Sequence, residues 1–362
     1  MVRISNNLKS QLLKIFWITI GWTIISEYTI FLVHANLVGL KIDSSNLPYL
    51  LYYKVGLLTG VLAGIVGGSC LVFFWEKWLR TKNYGWSLWS IWWSYTLIFV
   101  LVGIPTGLVA ESGELRLPIF HPKVIEEVYS NFFDFPGLQS YLQWLFIVIG
   151  TLILLLVNDK YGPGVFRDFL LGKYFHPKRE ERIFMFLDLR SSTSIAEKLG
   201  EARYFDFLSE VFNYATPSIL DNKGEIYQYV GDEIVVSWKV NTGTENANCV
   251  HCYFEIRKAL NRHSDHFETK YGVIPEFKAG LHYGYVMAGE IGVVKRDIAF
   301  SGDVLNTTAR IQEQCNPMGV DILLSKYLLD RLHLSNTEYH PQQVGDMELR
   351  GKKEKVMLYT LY

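Results

Sequence analysis

Cysteine is scarce: four in 362 residues, too few for a disulfide-stapled scaffold. Cys249-Val-His-Cys252 has the CxxC spacing, but no second pair completes a zinc site and the segment reads as helical. These thiols are expected on the core face of one helix. An excess of charge of one sign is also lacking. The 35 basic and 36 acidic residues leave a formal charge of −1, and nucleic acid is not an expected partner. The N-terminal stretch has no cleavage-like site, so its apolar run reads as a retained span rather than a signal peptide. Long polar loops are missing before residue 158, which leaves no room for a separate ligand-binding domain outside a membrane.

What is abundant there is apolar sequence. Hydrophobic residues make up 49% of the chain, and the excess is concentrated before residue 158. Runs at 12–33, 50–75, 88–110 and 141–157 approach the roughly 20 apolar residues that cross a bilayer. Together they predict a four-helix membrane domain over 1–157. Lys and Arg stand in the N-terminal stretch (Arg3, Lys9, Lys14), follow the second run and follow the fourth, whereas the loop at 111–137 carries Glu111, Glu114, Glu126, Glu127 and Asp134. That asymmetry predicts a multi-pass protein of the cytoplasmic (inner) membrane, in contact with membrane lipid, with both termini and everything after 158 in the cytoplasm. Gly56, Gly60, Gly64 and Gly68 form a small-residue ladder for close helix packing, within or between subunits. Glu27 lies deep in the first span. An intramembrane carboxylate is a functional suspect; its bland alternative is a hydrogen bond to Ser, Thr or Tyr on another helix.

Residues 158–182 read as a connector: Tyr161-Gly162-Pro163-Gly164 breaks the fourth span, an amphipathic stretch follows, and 176–182 form a charged hinge. From 183 to 362 the pattern is one α+β domain. A strand at 183–188 precedes a helical region at 193–220 broken near Gly200. A hairpin at 225–229 and 234–238 turns at Gly231-Asp232. A helix over 246–269, strands at 276–282 and 285–290, a helix at 303–314 and a final strand at 355–361 follow. This order predicts a mainly antiparallel sheet with helices over one face.

Two aspartates stand at strand ends: Asp188 closes Ile183–Leu187, and Asp232 turns the hairpin. A rigid sheet can aim two such carboxylates at a shared point, where paired divalent metals and phosphate would make a site for phosphoryl or nucleotidyl transfer. After Asp188, Ser191, Ser192 and Thr193 lead into a helix whose free N–H groups suit phosphate, although ordinary N-capping explains them equally well. Asn306 and Arg310 lie one helical turn apart.

The segments FLDLRSSTSIAE (186–197), GEIYQYVGDEIVVSW (224–238), AGLHYGYVMAGEIG (279–292), SGDVLNTTARIQE (301–313) and LRGKKEKVMLYTL (349–361) occur in one order over the second half of the chain. This ordered set resembles the class III nucleotide cyclases. The resemblance implies a ferredoxin-like, palm-like sheet and two Mg²⁺ or Mn²⁺ ions held by Asp188, Asp232 and the Leu189 carbonyl. It makes Asn306 the ribose-orienting residue and Arg310 the stabiliser of transition-state charge. A phosphate-binding lysine is implied near Gly351, with Lys352 favoured over Arg350 and Lys353. It also implies a head-to-tail homodimer, because the family builds each pocket from two domains and this chain carries one.

The base-reading positions depart from the family. Gln228 stands where adenylyl enzymes carry Lys and guanylyl enzymes Glu, and Ala299 replaces the usual Asp, Thr or Cys. An amide can serve adenine or, flipped, guanine or a pyrimidine; ATP is the favoured nucleoside triphosphate, converted to a 3′,5′-cyclic nucleotide and pyrophosphate. The alternative is a membrane receptor whose cyclase-like domain is silent or makes another cyclic nucleotide.

Overall fold

The computed structural model describes residues 6–40, 48–79, 84–161, 168, 171–294, 296–332, 334, 339–348 and 355–362. They fall into two compact units, 1–160 and 161–362.

The first unit is helical. It contains α1 (Asn6–Gly39), α2 (Tyr49–Cys70), α3 (Tyr84–Leu115), α4 (Pro122–Phe133) and α5 (Phe135–Tyr161). Spans at Leu8–Gly39, Tyr49–Trp75, Gly85–Leu115 and Phe135–Asn158 are long and apolar enough to cross a membrane. The glycine ladder is spent inside the chain. A Cβ on Gly60 would stand 2.6 Å from Thr23 Cα, and one on Gly64 would stand 2.5 Å from Thr19 Cα. Only glycine lets α1 and α2 touch backbone to backbone there. Glu27 faces the same seam: its Oε1 is buried, lies where a Gly56 Cβ would come within 3.1 Å, and meets no hydrogen-bond partner among the described residues. The expected bond to a hydroxyl is therefore not made by this oxygen. Tyr95 Oη donates to Gly67 O at 2.6 Å, and Lys14 pairs with Glu76 at 2.7 Å. The acidic loop at 111–137 holds a helix of its own, α4, capped by His121 and anchored by buried Val124 and Val128.

The second unit is built on a sheet of eight strands: β1 (Lys178–Leu189), β2 (Glu225–Val230), β3 (Glu233–Lys239), β4 (Phe277–Ile291), β5 (Asp297–Ser301), β6 (Ile322–Ser325), β7 (Pro341–Glu348) and β8 (Lys355–Leu361). The order is β2-β3-β1-β4-β6-β8-β7, with β5 pairing β4 off this path. All pairs are antiparallel except β4 with β6. Central β1 is apolar on both faces. Ile183, Met185, Leu187 and Leu189 enter the large core under α6 (Ser192–Leu199), α7 (Glu201–Asp221), α8 (Asn248–Asn261) and α9 (Ser264–Tyr271). Phe184 and Phe186 face the other way, packing with Val286 and Val304. Val304 belongs to α10 (Asp303–Glu313), so helices cover both faces rather than one. Gly280 makes this possible: a Cβ there would lie 2.4 Å from Gln312 N.

Four local expectations are corrected. The stretch 178–182 is strand, not hinge, because β1 pairs β4 from Lys178↔Ala288 onward. The same long pairing carries β4 straight through Tyr283-Gly284, where two strands were expected. The helix over 246–269 is two helices, parted at Arg262-His263. Strand β5 was not expected at all. Its hydrogen bonds to β4, which its short sequence does not advertise, create it.

Arg182, 1% exposed, explains the buried charge at the base of β1. It donates to Glu180, Glu225, Ser237 and Tyr174, and its guanidinium lies 4.6 Å from the Phe300 ring centroid. The paired carboxylates hold its pKa above the ordinary value although burial opposes them. Buried Tyr174, from the segment before β1, is thereby tied to β1, β2 and β5.

Candidate active site

Register sets the site. At the end of β1, Asp188 stands between Glu233 on β3 and Lys278 on β4. Asp232 sits on the β2–β3 turn beside Gly231, whose φ of 63° suits glycine. Burial first, then the Asp188 and Asp232 charges, push the Glu233 carboxyl up to about 7. Burial and the same two charges also raise the Tyr204 phenol, while Ser192 at the start of α6 opposes them through a hydrogen bond. Both aspartates therefore act on the same two neighbours, one from β3 and one from α7.

Only part of that negative charge is balanced. Lys278 Nζ lies 2.9 Å from Asp188 Oδ2, and Gln312 Nε2 donates to the same oxygen at 3.0 Å. Lys278, Gln312 and Glu233 were missed from sequence. Lys278 had one signal, a lone cation in the apolar strand FKAGLH; Gln312 had another, an amide on the buried face of an amphipathic helix.

Three carboxylates against one lysine make a partly buried acidic corner that suits a divalent cation. Among the described residues, no three His, Cys, Asp or Glu side chains converge to hold an ion alone. The set fits an ion of the Mg²⁺ kind, which takes one or two protein carboxylates and draws further oxygens from water or substrate phosphates. Leu189 closes β1 with its side chain buried, one residue after Asp188.

The remaining expected residues fall in three places. Ser191, Ser192 and Thr193 begin α6 directly after β1. Ser191 takes a left-handed φ of 56° and makes no side-chain cap, leaving the capping explanation without its bond. Arg190 is turned away, donating to Asn316, Val320 O and Asp321. Gln228 is exposed on β2 and Ala299 half-buried on β5. Their neighbours meet: Phe300 N donates to Tyr227 Oη at 3.2 Å, and the rings pack at 4.9 Å. β2 and β5 are not neighbours in the sheet, and it is Tyr227 and Phe300, not Gln228 and Ala299 themselves, that make this contact. Lys352, Arg350 and Lys353 lie outside the described residues.

Asn306 and Arg310 are not brought to Asp188. Gln312 faces the sheet, and at about 100° per residue Arg310 lies about 200° and Asn306 about 240° around α10 from it. Asn306 is exposed and Arg310 half-buried. The acidic corner and the Asn/Arg pair therefore occupy opposite sides of α10.

Comparison with known proteins decides the family. The model of the adenylate and guanylate cyclase catalytic domain matches residues 176–362. The chain belongs to this family. Adenylate cyclase 2 of Rhizobium meliloti (strain 1021) is 35% identical over 213 residues, covering 59% of this chain and 58% of that protein. Adenylate cyclase of Anabaena cylindrica is 26% identical over 185 residues, covering 49% of this chain and 36% of that one. The cyclase chain thus spans less than two thirds of the length of these relatives. Among solved structures, a bacterial light-regulated adenylyl cyclase superposes with a TM-score of 0.50 at 20% identity, over 62% of this chain and 64% of that chain. That likeness concerns the fold.

Proposed function

We propose that this cyclase-family chain is a membrane-anchored adenylate cyclase. It would convert ATP to 3′,5′-cyclic AMP and pyrophosphate in a head-to-tail homodimer. Residues 1–157 form the membrane domain, 158–182 the connector and 183–362 the catalytic domain, on the cytoplasmic side of the inner membrane. The observation that carries the dimeric reading is the division across α10: one chain offers an acidic corner and, facing away from it, an unpaired Asn306/Arg310 couple. Among the described residues neither of these side chains makes a hydrogen bond or ion pair. Two antiparallel copies would bring each corner to the other's couple and form two equivalent sites. Exposed apolar residues support such a contact, among them Val230 at 52%, Tyr285 at 52% and Ile291 at 61% exposed.

In this site Asp188, Asp232 and the Leu189 carbonyl would hold two Mg²⁺ or Mn²⁺ ions. When bound, the ions supply positive charge that lowers the pKa of the ribose 3′-hydroxyl and neutralises the departing pyrophosphate. Lys278 and Gln312 hold the Asp188 carboxylate in place. The N–H groups opening α6, with Ser191, Ser192 and Thr193, receive phosphate oxygens, joined by Lys352. From the second copy, Asn306 orients the ribose and Arg310 meets charge developing on the α-phosphate with its planar fork. Gln228 reads the base edge through its amide, and Ala299 shapes the pocket beside it. The preference for ATP rests on the name of the 35%-identical relative and on an amide's ability to pair with adenine N6 and N1.

The test is product identification. Detergent-purified protein is incubated separately with ATP, GTP, CTP and UTP in Mn²⁺ or Mg²⁺, and products are read by mass spectrometry beside an Asp188→Ala control. Cyclic AMP that vanishes in the control is expected. Absence of any cyclic product from folded, dimeric protein would turn the account to a silent receptor.

A further inference from the structure

Near the middle of the spans, α1, α2, α3 and α5 line a half-open cavity of about 220 Å³. It exceeds the ~150 Å³ apolar cavity known to admit benzene. Its wall is aromatic: Trp22 and Trp144 meet edge to face at 4.9 Å, and Phe99 adds a third ring. It also carries polar groups, and their hydrogen bonds fix what they can still do. Ser26 Oγ donates to Gly56 O at 3.0 Å, Thr29 Oγ1 to Ile25 O at 2.9 Å, and Thr59 Oγ1 to Val55 O at 2.8 Å. Gln143 Nε2 donates to Thr29 Oγ1. Both indole N–H groups are committed as well, Trp22 to Thr151 Oγ1 at 2.9 Å and Trp144 to Tyr95 O at 3.0 Å.

Each of these donors has a partner, and Gln143 keeps a second amide N–H beyond the one given to Thr29. What remains toward the cavity is mostly acceptors, the hydroxyl lone pairs and the Gln143 amide oxygen, beside that one amide N–H. No carboxylate lines the wall, so a cation there would find no counter-charge to offset its cost in hydrocarbon. A neutral, apolar ligand that brings its own donor suits this lining. In a hydrocarbon surrounding, such a donor has no water to compete for it.

We propose that this cavity is a binding site for a small, bilayer-soluble aromatic molecule bearing one N–H or O–H donor, of the one- or two-ring size. The ring stacks against the Trp22, Phe99 and Trp144 wall, and the donor meets Gln143 or the Thr59 hydroxyl. This assignment concerns the membrane unit alone and stands apart from the catalytic reading.

The experiment uses the full chain in lipid nanodiscs, with tritiated indole as the probe and empty nanodiscs subtracted. Indene, of the same shape without the donor, is the competitor. Expected is saturable binding of one indole per chain, with indene competing at least ten-fold less well. Ala63→Phe, which fills the cavity from the buried Ala63, and Gln143→Leu, which removes the acceptor, should each weaken binding at least ten-fold. Thermal melting identifies the variants that fold. Should Ala63→Phe not fold, Gln143→Leu alone carries the comparison. Non-saturable partitioning, equal competition by indene, or unchanged binding in a folded variant would each overturn the proposal. The cavity would then be a packing void shared by acyl chains or water.

Discussion

Asp188 owes its setting to two residues far away in sequence. Gln312 and Lys278 both contact Oδ2, and a hydrogen bond to a charged group is worth about 1.5–3 kcal/mol. Gln312→Leu should therefore lower kcat/KM by roughly ten-fold or more while leaving the proposed dimer intact by light scattering. Unchanged kinetics would show that Lys278 alone suffices. Arg182 is a second such residue. Removing one partner of a buried charge cluster costs about 3–5 kcal/mol. Because Glu225 is 36% exposed, Arg182→Met should fall near the lower end, read as a lowered melting temperature. The cysteines on α8 are the inert case. Burial pushes Cys249 up to about 12 and Cys252 well above its ordinary value. Native protein should leave both unalkylated by iodoacetamide at pH 8, with labelling only after unfolding; native labelling at either would contradict their burial.

At the scale of elements, the sequence announced what local periodicity controls. The break at Gly200, the hairpin turning at Gly231-Asp232, and the Asp303–Glu313 helix all stand where pattern and turn chemistry put them. It misplaced what long-range pairing controls. Strand β1 runs back to Lys178 through charged residues because β4 pairs it throughout, and β5 exists only because β4 offers an edge. The glycine ladder was legible as a close contact, but its partner was not. The contact falls on Thr19 and Thr23 of α1. Gly64→Val should thus force α1 and α2 apart and destabilise the helical unit by about 1–3 kcal/mol or more. Gly150→Ala, where a Cβ meets nothing within 4 Å, should be silent in the same melting assay. Equal melting of the two variants would contradict the α1–α2 contact.

For the whole molecule, the ordered motifs made the family readable, and the two aspartates were readable as a pair. The side of α10 on which each functional residue falls was not. Helical spacing puts Asn306 and Arg310 together, but which way they face depends on Gly280 admitting the helix against the sheet through Gln312. That packing separates the couple from the acidic corner and makes the reading a property of two copies. The most direct measurement is complementation between Asp188→Ala and Arg310→Ala, each inactive by itself. Coexpressed in equal amounts, half of the dimers are mixed and each mixed dimer keeps one intact site of two. The account predicts recovery of about a quarter of wild-type cyclase activity. No recovery, with mixed dimers demonstrated by differential tags, would contradict a site shared between chains.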